Sequence, residues 1–261
     1  MTVLIALDID GTVLTEAGEL LDPVRDEVTR VVASGNEVML ATGRSVAMTL
    51  PIIDRLGITP QYIVCSNGAI TLKRDADAPA GYSREHVETF DPSEVLTTIR
   101  AHLNDANFGV EDEEGVYRYH GTFPEGVLGA SSQNVPFDEL LDVVATRVVV
   151  ISPGHAIEDF LSVVEQMGLH KVSYNVGWTA WLDIAPDGVN KSTAMERVRA
   201  LLDVPIENVI AIGDGRNDIE MLEWAGRGIA MGQAPDEVVA AASEVTGSDL
   251  DGGVAQVLAR L

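Results

Sequence analysis

Two acidic clusters, each placed directly after a short apolar run, limit what this chain can fold into. The first is Asp8-Ile9-Asp10-Gly11-Thr12 after the run 3–7, and the second is Gly213-Asp214-Gly215-Arg216-Asn217-Asp218 after the run 209–212. Apolar runs of this length are typical of buried strands in an open α/β sheet. Because such sheets bind ligands at the carboxyl ends of their strands, both clusters are expected to line one crevice.

The spacing of the carboxylates points to a bound cation. Alternation along a strand predicts that Asp8 and Asp10 lie on the same side, with Ile9 turned into the core. Carboxylates held this close repel each other unless a divalent ion or a shared proton intervenes, and Asp214 and Asp218 add to the repulsion if they share the crevice. Oxygen ligands suit a hard ion, so Mg²⁺ is predicted before zinc.

Composition narrows the class of protein and its partners. The chain has 261 residues, 46% of them hydrophobic, which is enough for a large core, and we expect two domains. Its 41 acidic and 17 basic residues give a formal net charge of −24, which opposes binding to nucleic acid and to anionic membranes. No apolar run approaches the roughly 20 residues needed to cross a bilayer, and Met1 leads straight into a strand, so a cytoplasmic location is expected. The single cysteine, Cys65, lies in an apolar run and is predicted to be a buried, inert thiol.

Strand and helix patterns alternate at both ends of the chain. This order predicts right-handed βαβ units and an α/β fold with a Rossmann-like, doubly wound parallel sheet. The predicted strands are 3–7, 37–41, 62–66, 209–212 and 228–230, and the predicted helices are 23–34, 45–56, 191–202, 217–224 and 235–242.

The middle of the chain follows a different pattern of shorter, mixed segments, which predicts an inserted α+β domain over the crevice. The predicted elements are helices 92–103 and 157–167, a hairpin over 109–119, and strands 148–152 and 179–185. We therefore predict a discontinuous core formed by 1–80 and 186–261, and an inserted domain formed by 81–185. Hinges are expected at 75–81 and 186–188, and Trp178 and Trp181 are expected to pack within the inserted domain or its hinge.

Four motifs, in this order, resemble the haloacid dehalogenase superfamily and specifically its Cof-type phosphatases, which carry a large inserted cap. They are Asp8-Ile9-Asp10-Gly11-Thr12, Thr42-Gly43-Arg44, Lys191 within 188–191, and the cluster 213–218. The segment 66–69 also resembles the stretch that precedes the cap in that branch. The resemblance covers nearly the whole chain, although within the cap it depends only on size and position.

The resemblance implies a catalytic pair and a magnesium site. Asp8 matches the nucleophile that forms an aspartyl phosphate, and Asp10 matches the residue that protonates the leaving oxygen and then deprotonates water. The implied Mg²⁺ ligands are Asp8, the backbone carbonyl of Asp10, Asp214, and Asp218 either directly or through water.

The resemblance also implies a phosphate-binding set. Thr42 would donate its hydroxyl, Lys191 its ammonium, and the backbone amides near Ile9 and Gly43 their hydrogens. Asn217 would orient Lys191 or the groups around the metal. Arg44 has two equal interpretations, contact with the substrate or pairing with a carboxylate.

The predicted function is therefore a magnesium-dependent phosphatase that acts on a small phosphorylated metabolite such as a sugar phosphate, as a monomer or homodimer without nucleic-acid or membrane partners. A phosphoglycolate phosphatase and a phosphomutase of the same superfamily are alternatives within the enzyme class. A phospho-accepting signalling domain is the alternative from a different class. Family membership defines the chemistry better than the physiological substrate.

Overall fold

The structure is a computed structural model that describes residues 2–78, 80–129, 131–169, 172–176 and 180–261. The chain forms two compact units: the first is Met1–His86 together with Asn190–Leu261, and the second is Val87–Val189. The assignment of 1–80 and 186–261 to a catalytic core, and of 81–185 to a cap, stays a prediction.

The elements follow one another in the order that the sequence patterns indicate. The first part of the chain contains β1 (Leu4–Leu7), α1 (Asp22–Ala33), β2 (Glu37–Leu40), α2 (Val46–Leu56), β3 (Tyr62–Cys65), β4 (Ile70–Arg74) and β5 (Tyr82–Val87). The middle contains α3 (Ser93–His102), β6 (Asn107–Asp112), β7 (Tyr117–His120), β8 (Ser132–Asn134), α4 (Phe137–Leu140), β9 (Ala145–Ile151), α5 (Ile157–Met167), β10 (Val172–Val176) and β11 (Trp181–Pro186). The last part contains α6 (Lys191–Leu201), β12 (Val209–Gly213), α7 (Ile219–Trp224), β13 (Arg227–Ala230), α8 (Asp236–Ala241), β14 (Glu244–Val245) and α9 (Gly253–Leu258).

The first unit is built on a parallel sheet with the strand order β14, β13, β12, β1, β2. β1 is buried along its whole length and pairs in parallel with both β2 and β12, which explains its uninterrupted apolar sequence. The chain runs outward from β1 through β2 and later returns to the other side of β1 as β12. This reversal is the topological switch point at which open α/β sheets bind ligands. The predicted α/β fold with a parallel core sheet is confirmed.

In the first unit, the spacing of apolar residues and the residues at helix ends explain the helices. In α1 the buried residues Val24, Val28 and Val31 recur at intervals of four and three, which places them on one face against the sheet. α2 ends at Gly57, whose left-handed backbone (φ 69°) closes the helix. The segment predicted as one helix over 217–224 instead forms a 3₁₀ turn, Arg216–Asp218, followed by α7. This tight turn allows Asp218 to point back toward the end of β12.

The second unit contains a mostly antiparallel sheet with the strand order β10, β11, β9, β6, β7, β8, in which β7 and β8 are parallel. Helices α3, α4 and α5 contribute to the apolar core beside this sheet, through buried residues such as Leu96, Leu140 and Phe160. Trp181 begins β11 and donates its indole N–H to Asp183 at 2.9 Å. The predicted positions Trp178 and Thr179 lie outside the described residues.

Other predictions from the sequence can be compared directly with the structure. Cys65 is buried, as expected. The stretch 75–81, predicted as a hinge, connects β4 to β5 with the Asp75 N–H donating to the Gly81 carbonyl at 2.9 Å. Over the described part of the chain, no helix combines the length and apolar character that a membrane span requires.

Candidate active site

Asp8 lies at the switch point of the parallel sheet, directly after β1. Its backbone N–H donates to the carbonyl of Ile212 at 3.0 Å, so the hydrogen bonding between β1 and β12 continues to this residue. Its side chain is buried although the residue carries a carboxylate. A buried carboxylate requires compensation by hydrogen bonds, a counter-charge or a proton.

Lys191 supplies a counter-charge. Its ammonium nitrogen lies 2.8 Å from Oδ1 of Asp8 and 2.6 Å from Oδ1 of Asp218, and only 1% of its side chain is exposed. Lys191 is the first residue of α6, which Asn190 caps by accepting from the Thr193 N–H while the Thr193 hydroxyl accepts from the Asn190 N–H. The cap fixes the helix start, so this lysine enters the core.

A close approach of backbone segments fixes the position of α6. Gly68 has a φ of +103°, and a Cβ added there would lie 2.2 Å from the carbonyl oxygen of Asn190. Only glycine allows the turn after β3 to lie against the residue that precedes Lys191.

Asp214 and Asp218 complete the buried cluster at the end of β12. Oδ1 of Asp214 accepts from the Thr12 hydroxyl at 3.0 Å, which links the two acidic motifs of the sequence. Oδ2 of Asp218 accepts from the backbone N–H groups of Asp214 and Gly215 at 3.0 and 2.9 Å. The ligand atoms of Asp8, Asp214 and Asp218 all lie within 4.8 Å of one another.

Burial and neighbouring charges shift the pKa values of Asp8, Asp214 and Lys191. Desolvation, and next the charge of Asp218, raise the pKa of Asp8 to about 7. Desolvation, and next the charge of Asp8, raise the pKa of Asp214 to about 8. Burial opposes the charged form of Lys191, but the carboxylates of Asp218 and Asp8 outweigh it and raise the pKa of the lysine. The site therefore has an excess of negative charge that one ammonium does not neutralise.

The donor set fits a hard divalent cation such as Mg²⁺. It consists of oxygen atoms, it is buried, and its excess negative charge is what a divalent ion would neutralise. Among the described residues, Oδ2 of Asp8 and Oδ2 of Asp214 carry no hydrogen bond and are available as ligands. Both oxygens of Asp218 already accept hydrogen bonds, which favours its action through water.

The structure does not bring the Asp10 carboxylate into this buried cluster. Ile9 is buried as predicted, but β1 ends at Leu7 and the backbone turns, with the Leu14 N–H donating to the Ile9 carbonyl at 2.8 Å. Asp10 is exposed, and its two oxygens accept from Nη2 and Nε of Arg44 at 2.5 and 2.9 Å. Of the two interpretations of Arg44, the structure shows the pairing with a carboxylate.

The motif Thr42-Gly43-Arg44 follows β2, the strand that pairs with β1. Thr42 is buried, and its hydroxyl accepts from the Arg44 N–H at 3.1 Å. Its carbonyl accepts from the N–H of Asn67 at 3.0 Å. Gly43 faces this asparagine, since a Cβ added to the glycine would lie 3.1 Å from the Asn67 amide oxygen.

Asn217 is hydrogen-bonded to Asn67. Its amide nitrogen donates to the Asn67 amide oxygen at 3.0 Å, across 150 positions of sequence. The sequence motifs include the segment 66–69 but indicate no role for Asn67 in the site. Thr12 was likewise part of a motif without an assigned role. A signal for Asn67 exists only in the backbone, where its φ of 52° is unusual for a residue other than glycine.

The comparisons with known proteins agree with this architecture. A sequence profile of the haloacid dehalogenase-like hydrolases matches residues 5–258. The chain belongs to this family. The family predicted from the four motifs is thereby confirmed, and the chain is a hydrolase of the haloacid dehalogenase-like type.

Curated relatives of this hydrolase match over nearly its full length. The 5-amino-6-(5-phospho-D-ribitylamino)uracil phosphatase YitU of Bacillus subtilis is 29% identical over 98% of this chain and 96% of its own length. The pyridoxal phosphate phosphatase YbhA of Escherichia coli is 29% identical over 98% of this chain and 97% of its own length.

Solved structures show the same fold. The subclass IIB sugar phosphatase BT4131 superimposes with a TM-score of 0.82 at 20% identity, over 99% of this chain and 98% of that one. A haloacid dehalogenase-like hydrolase from B. subtilis gives a TM-score of 0.82 at 22% identity, over 99% of each chain. Both support the fold of this hydrolase.

Proposed function

We propose that this hydrolase is a magnesium-dependent phosphatase of small phosphate monoesters that works through an aspartyl phosphate on Asp8. The observation that carries the proposal is the buried contact of Lys191 with both Asp8 and Asp218, beside Asp214. The ammonium occupies Oδ1 of Asp8, and Oδ2 carries no hydrogen bond within the described part of the chain. A fixed carboxylate beside a positive charge suits nucleophilic attack on a phosphoryl group.

The prediction of a phosphoric monoester hydrolase is confirmed by the family match together with the phosphatase names of the relatives. The metal and the substrate belong to the proposal. Mg²⁺, held by Asp8 and Asp214 with Asp218 nearby, would neutralise the carboxylates and the charge that develops on the phosphoryl oxygens.

In the first proposed step, a carboxylate oxygen of Asp8 attacks phosphorus and the bond from phosphorus to the leaving oxygen breaks. The leaving oxygen takes a proton from the carboxyl group of Asp10, and the product alcohol departs. Lys191 and Thr42 donate hydrogen bonds to the phosphoryl oxygens. The phosphoryl group is then bound covalently to Asp8.

In the second proposed step, Asp10 takes a proton from water while the water oxygen attacks phosphorus. The bond between phosphorus and the Asp8 oxygen breaks, phosphate leaves, and Asp8 regains its carboxylate. Asp10 is again protonated for the next cycle. The exposure of Asp10 in this structure is consistent with access to water and to a leaving group.

The proposed substrate class is a metabolite of about the size of a sugar phosphate. The relatives YitU and YbhA are named for a phosphorylated ribityl compound and for pyridoxal phosphate, and the structural neighbour BT4131 is named a sugar phosphatase. These names share a phosphate monoester on a small organic molecule. They support the class without selecting one member.

The test is phosphate release from a panel of sugar phosphates, pyridoxal phosphate, phosphoglycolate and p-nitrophenyl phosphate, with Mg²⁺ or with EDTA. The wild type is compared with Asp8→Asn and with the control Asp26→Asn, an exposed aspartate on α1. We expect Mg²⁺-dependent release that falls at least about 1,000-fold in Asp8→Asn and stays unchanged in the control. Release by Asp8→Asn at the wild-type rate would refute the assigned nucleophile.

The same assay separates the alternatives. Preferred release from phosphoglycolate would identify a phosphoglycolate phosphatase, and isomerised sugar phosphate without free phosphate would identify a phosphomutase. Stable phosphorylation of Asp8 without turnover would identify a phospho-accepting domain. Each of the last two results would refute the phosphatase proposal.

A further inference from the structure

The turn that carries Asp10 is hydrogen-bonded to two residues, Gln233 and Asp249, that belong to none of the four motifs. This acidic turn, residues 8–16, follows β1 and reverses direction through the bond from the Leu14 N–H to the Ile9 carbonyl. Gly11 adopts a φ of +72°, and a Cβ added there would lie 2.2 Å from Oδ2 of Asp214. The backbone of the turn therefore lies directly against a proposed metal ligand.

Gln233 binds the middle of the acidic turn. Its amide nitrogen donates to the Gly11 carbonyl at 2.6 Å, across 222 positions of sequence, and its amide oxygen accepts from the Asp249 N–H at 3.0 Å. A carbonyl can only accept and a backbone N–H can only donate, so these two partners define the orientation of the amide. A side chain needs both a donor and an acceptor to make this connection.

Asp249 binds the far end of the same turn. Only 7% of this aspartate is exposed, and its Oδ2 accepts from the Glu16 N–H at 2.9 Å. Its Oδ1 accepts from the Leu250 N–H at 2.8 Å. Gln233 and Asp249 thus form a continuous hydrogen-bonded clamp from Gly11 to Glu16.

The segments that carry the clamp are themselves closely packed. Gln233 follows β13, where the Met231 N–H donates to the Gly213 carbonyl and the Gly232 N–H donates to the Gly247 carbonyl, each at 3.0 Å. A Cβ on Gly253 would lie 2.1 Å from the Gly247 carbonyl oxygen. Dense packing of this kind makes the clamp a rigid support.

We propose that Gln233 and Asp249 are positioning residues that hold the acidic turn so that Asp10 can deliver its proton to the leaving oxygen. This inference rests on the proposed phosphatase function. The Gly11 carbonyl belongs to the peptide between Gly11 and Thr12, so its hydrogen bond to Gln233 fixes the backbone of the residue that follows the proton donor. Loss of the clamp lets residues 10–16 of the turn move relative to Asp8 and Asp214, and misplacement of a catalytic group lowers the rate of the step that needs it.

The first experiment measures kcat/KM for two substrates that differ in their need for a proton donor. The leaving group of a sugar phosphate is a sugar alkoxide, which needs protonation, whereas the p-nitrophenolate released from p-nitrophenyl phosphate is a good leaving group and needs little. kcat/KM reports phosphoryl transfer to Asp8 and excludes the later hydrolysis step. Gln233→Met, of similar length without polar hydrogen bonds, is compared with Gln166→Met, an exposed glutamine in α5.

We expect Gln233→Met to lower kcat/KM for the sugar phosphate at least about tenfold, and for p-nitrophenyl phosphate less than about threefold. Gln166→Met should match the wild type with both substrates. In the Asp10→Asn background, Gln233→Met should have no further effect on the sugar phosphate, because the positioned group is gone. The proposal would be overturned if Gln233→Met lowered kcat/KM equally for both substrates. It would also be overturned if Gln233→Met lowered kcat/KM in the Asp10→Asn background as much as it does in the wild type.

The second experiment does not depend on activity. Hydrogen–deuterium exchange of the amides in the acidic turn should be faster in Gln233→Met and in Asp249→Ala than in the wild type, with unchanged exchange in β1. Unchanged exchange in the turn would overturn the clamp. If the wild type hydrolyses no phosphate ester but exchange still rises, the proposed function fails while the clamp stands.

Discussion

The guanidinium of Arg44 binds both carboxylate oxygens of Asp10, through Nη2 at 2.5 Å and Nε at 2.9 Å. The pair is asymmetric, since 60% of the Asp10 side chain is exposed but only 20% of the Arg44 side chain. The hydrogen bond to Asp10 raises the pKa of Arg44 and keeps the arginine charged. A bidentate pair of this type orients a carboxylate as well as attracting it. Arg44 therefore holds the proposed proton donor on one side, and the clamp holds its backbone on the other.

Arg44→Lys tests this orientation, because an ammonium keeps the charge but loses the planar, two-point contact. We expect kcat/KM for a sugar phosphate to fall about 10- to 100-fold, with KM nearly unchanged. The matched control is Arg227→Lys, since Arg227 pairs in the same way with Glu244 at 2.8 and 3.0 Å. A rise in KM at constant kcat would instead indicate direct substrate contact by Arg44.

Lys191→Met removes the ammonium from a buried site and leaves Asp8 and Asp218 without their counter-charge. We expect phosphate release to be lost, and the free energy of unfolding in EDTA at neutral pH to fall by about 3 kcal/mol. Urea unfolding followed by circular dichroism measures the second quantity. Lys73→Met is the control, because Lys73 is half-exposed and lies 3.6 Å from Glu85. If Lys191→Met unfolded at the same urea concentration as the wild type, the stabilising role of the contacts between Lys191 and the two aspartates would be contradicted.

Gly11→Ala and Gly18→Ala separate backbone strain from contact with Asp214, a proposed metal ligand. Both glycines have left-handed backbone, with φ of +72° and +79°, so backbone strain alone should cost each alanine variant about 1 kcal/mol of stability. A Cβ on Gly11 would lie 2.2 Å from Asp214, whereas nothing lies within 4 Å of one on Gly18. We expect Gly11→Ala alone to weaken Mg²⁺ activation and to lower activity at least about tenfold. Equal activity of the two variants would show that the turn does not need its contact with Asp214.

Stability of the metal-free protein should fall as pH rises. The pKa of Asp8 is raised from 3.8 to about 7 and that of Asp214 from 3.8 to about 8, chiefly by desolvation. A carboxyl group with a raised pKa binds its proton more tightly in the folded state. Its contribution to stability is therefore complete below the pKa that the group has in the unfolded protein. The contribution is lost as pH rises through the pKa that the group has in the folded protein.

The measurement is urea unfolding between pH 5 and 8, in EDTA and in Mg²⁺, for the wild type and Asp214→Asn. In EDTA, the wild type should lose stability across this range relative to Asp214→Asn, which lacks one titrating group. Mg²⁺ should offset the loss most strongly at high pH, where the carboxylates are ionised. Stability that rises with pH in EDTA relative to Asp214→Asn would contradict the direction of these shifts.

Thr71 offers a prediction away from the catalytic site. Its hydroxyl is buried in β4 and has no hydrogen-bond partner within the described part of the chain. Thr71→Val removes an unsatisfied polar group and should be neutral or stabilising by up to about 1 kcal/mol. Thr49→Val is the matched control, since the buried Thr49 hydroxyl donates to the Ser45 carbonyl at 2.8 Å, and it should destabilise by about 1 kcal/mol. Thermal unfolding of both variants measures the difference. A loss of stability in Thr71→Val equal to that in Thr49→Val would contradict the prediction.

Much of the fold could be predicted because local sequence and buried position agree. Val24, Val28 and Val31 of α1 recur at helical spacing and pack on one face, and the apolar residues of β1 are buried on both faces. The 3₁₀ turn at Arg216–Asp218 could not be distinguished from the first turn of a helix, since its residues have no strong preference between the two. The backbone N–H groups of residues 214 and 215 donate hydrogen bonds to the Asp218 carboxylate, and these bonds favour the tighter 3₁₀ backbone.

Individual partners within the site were harder to predict. Asp10 is close to Asp8 in sequence, yet the turn after β1 directs its carboxylate to Arg44, 34 positions away. Asn217 binds Asn67 across 150 positions, and Gln233 reaches Gly11 across 222. No sequence pattern marks such pairs, because a side-chain hydrogen bond depends on backbone direction and rotamer at both ends.

The sequence by itself determined the family, the parallel sheet, and the placement of Asp8 and Asp214 at the ends of strands. It could do so because buried parallel strands require uninterrupted apolar runs, and because the chain can bring polar groups to the crevice only where those runs stop. Only the tertiary structure decided which charges meet. Packing between distant segments produces the buried pairing of Lys191 with Asp8 and Asp218, the exposed pairing of Asp10 with Arg44, and the clamp formed by Gln233. This packing sets distances of a few ångströms, which local sequence does not encode.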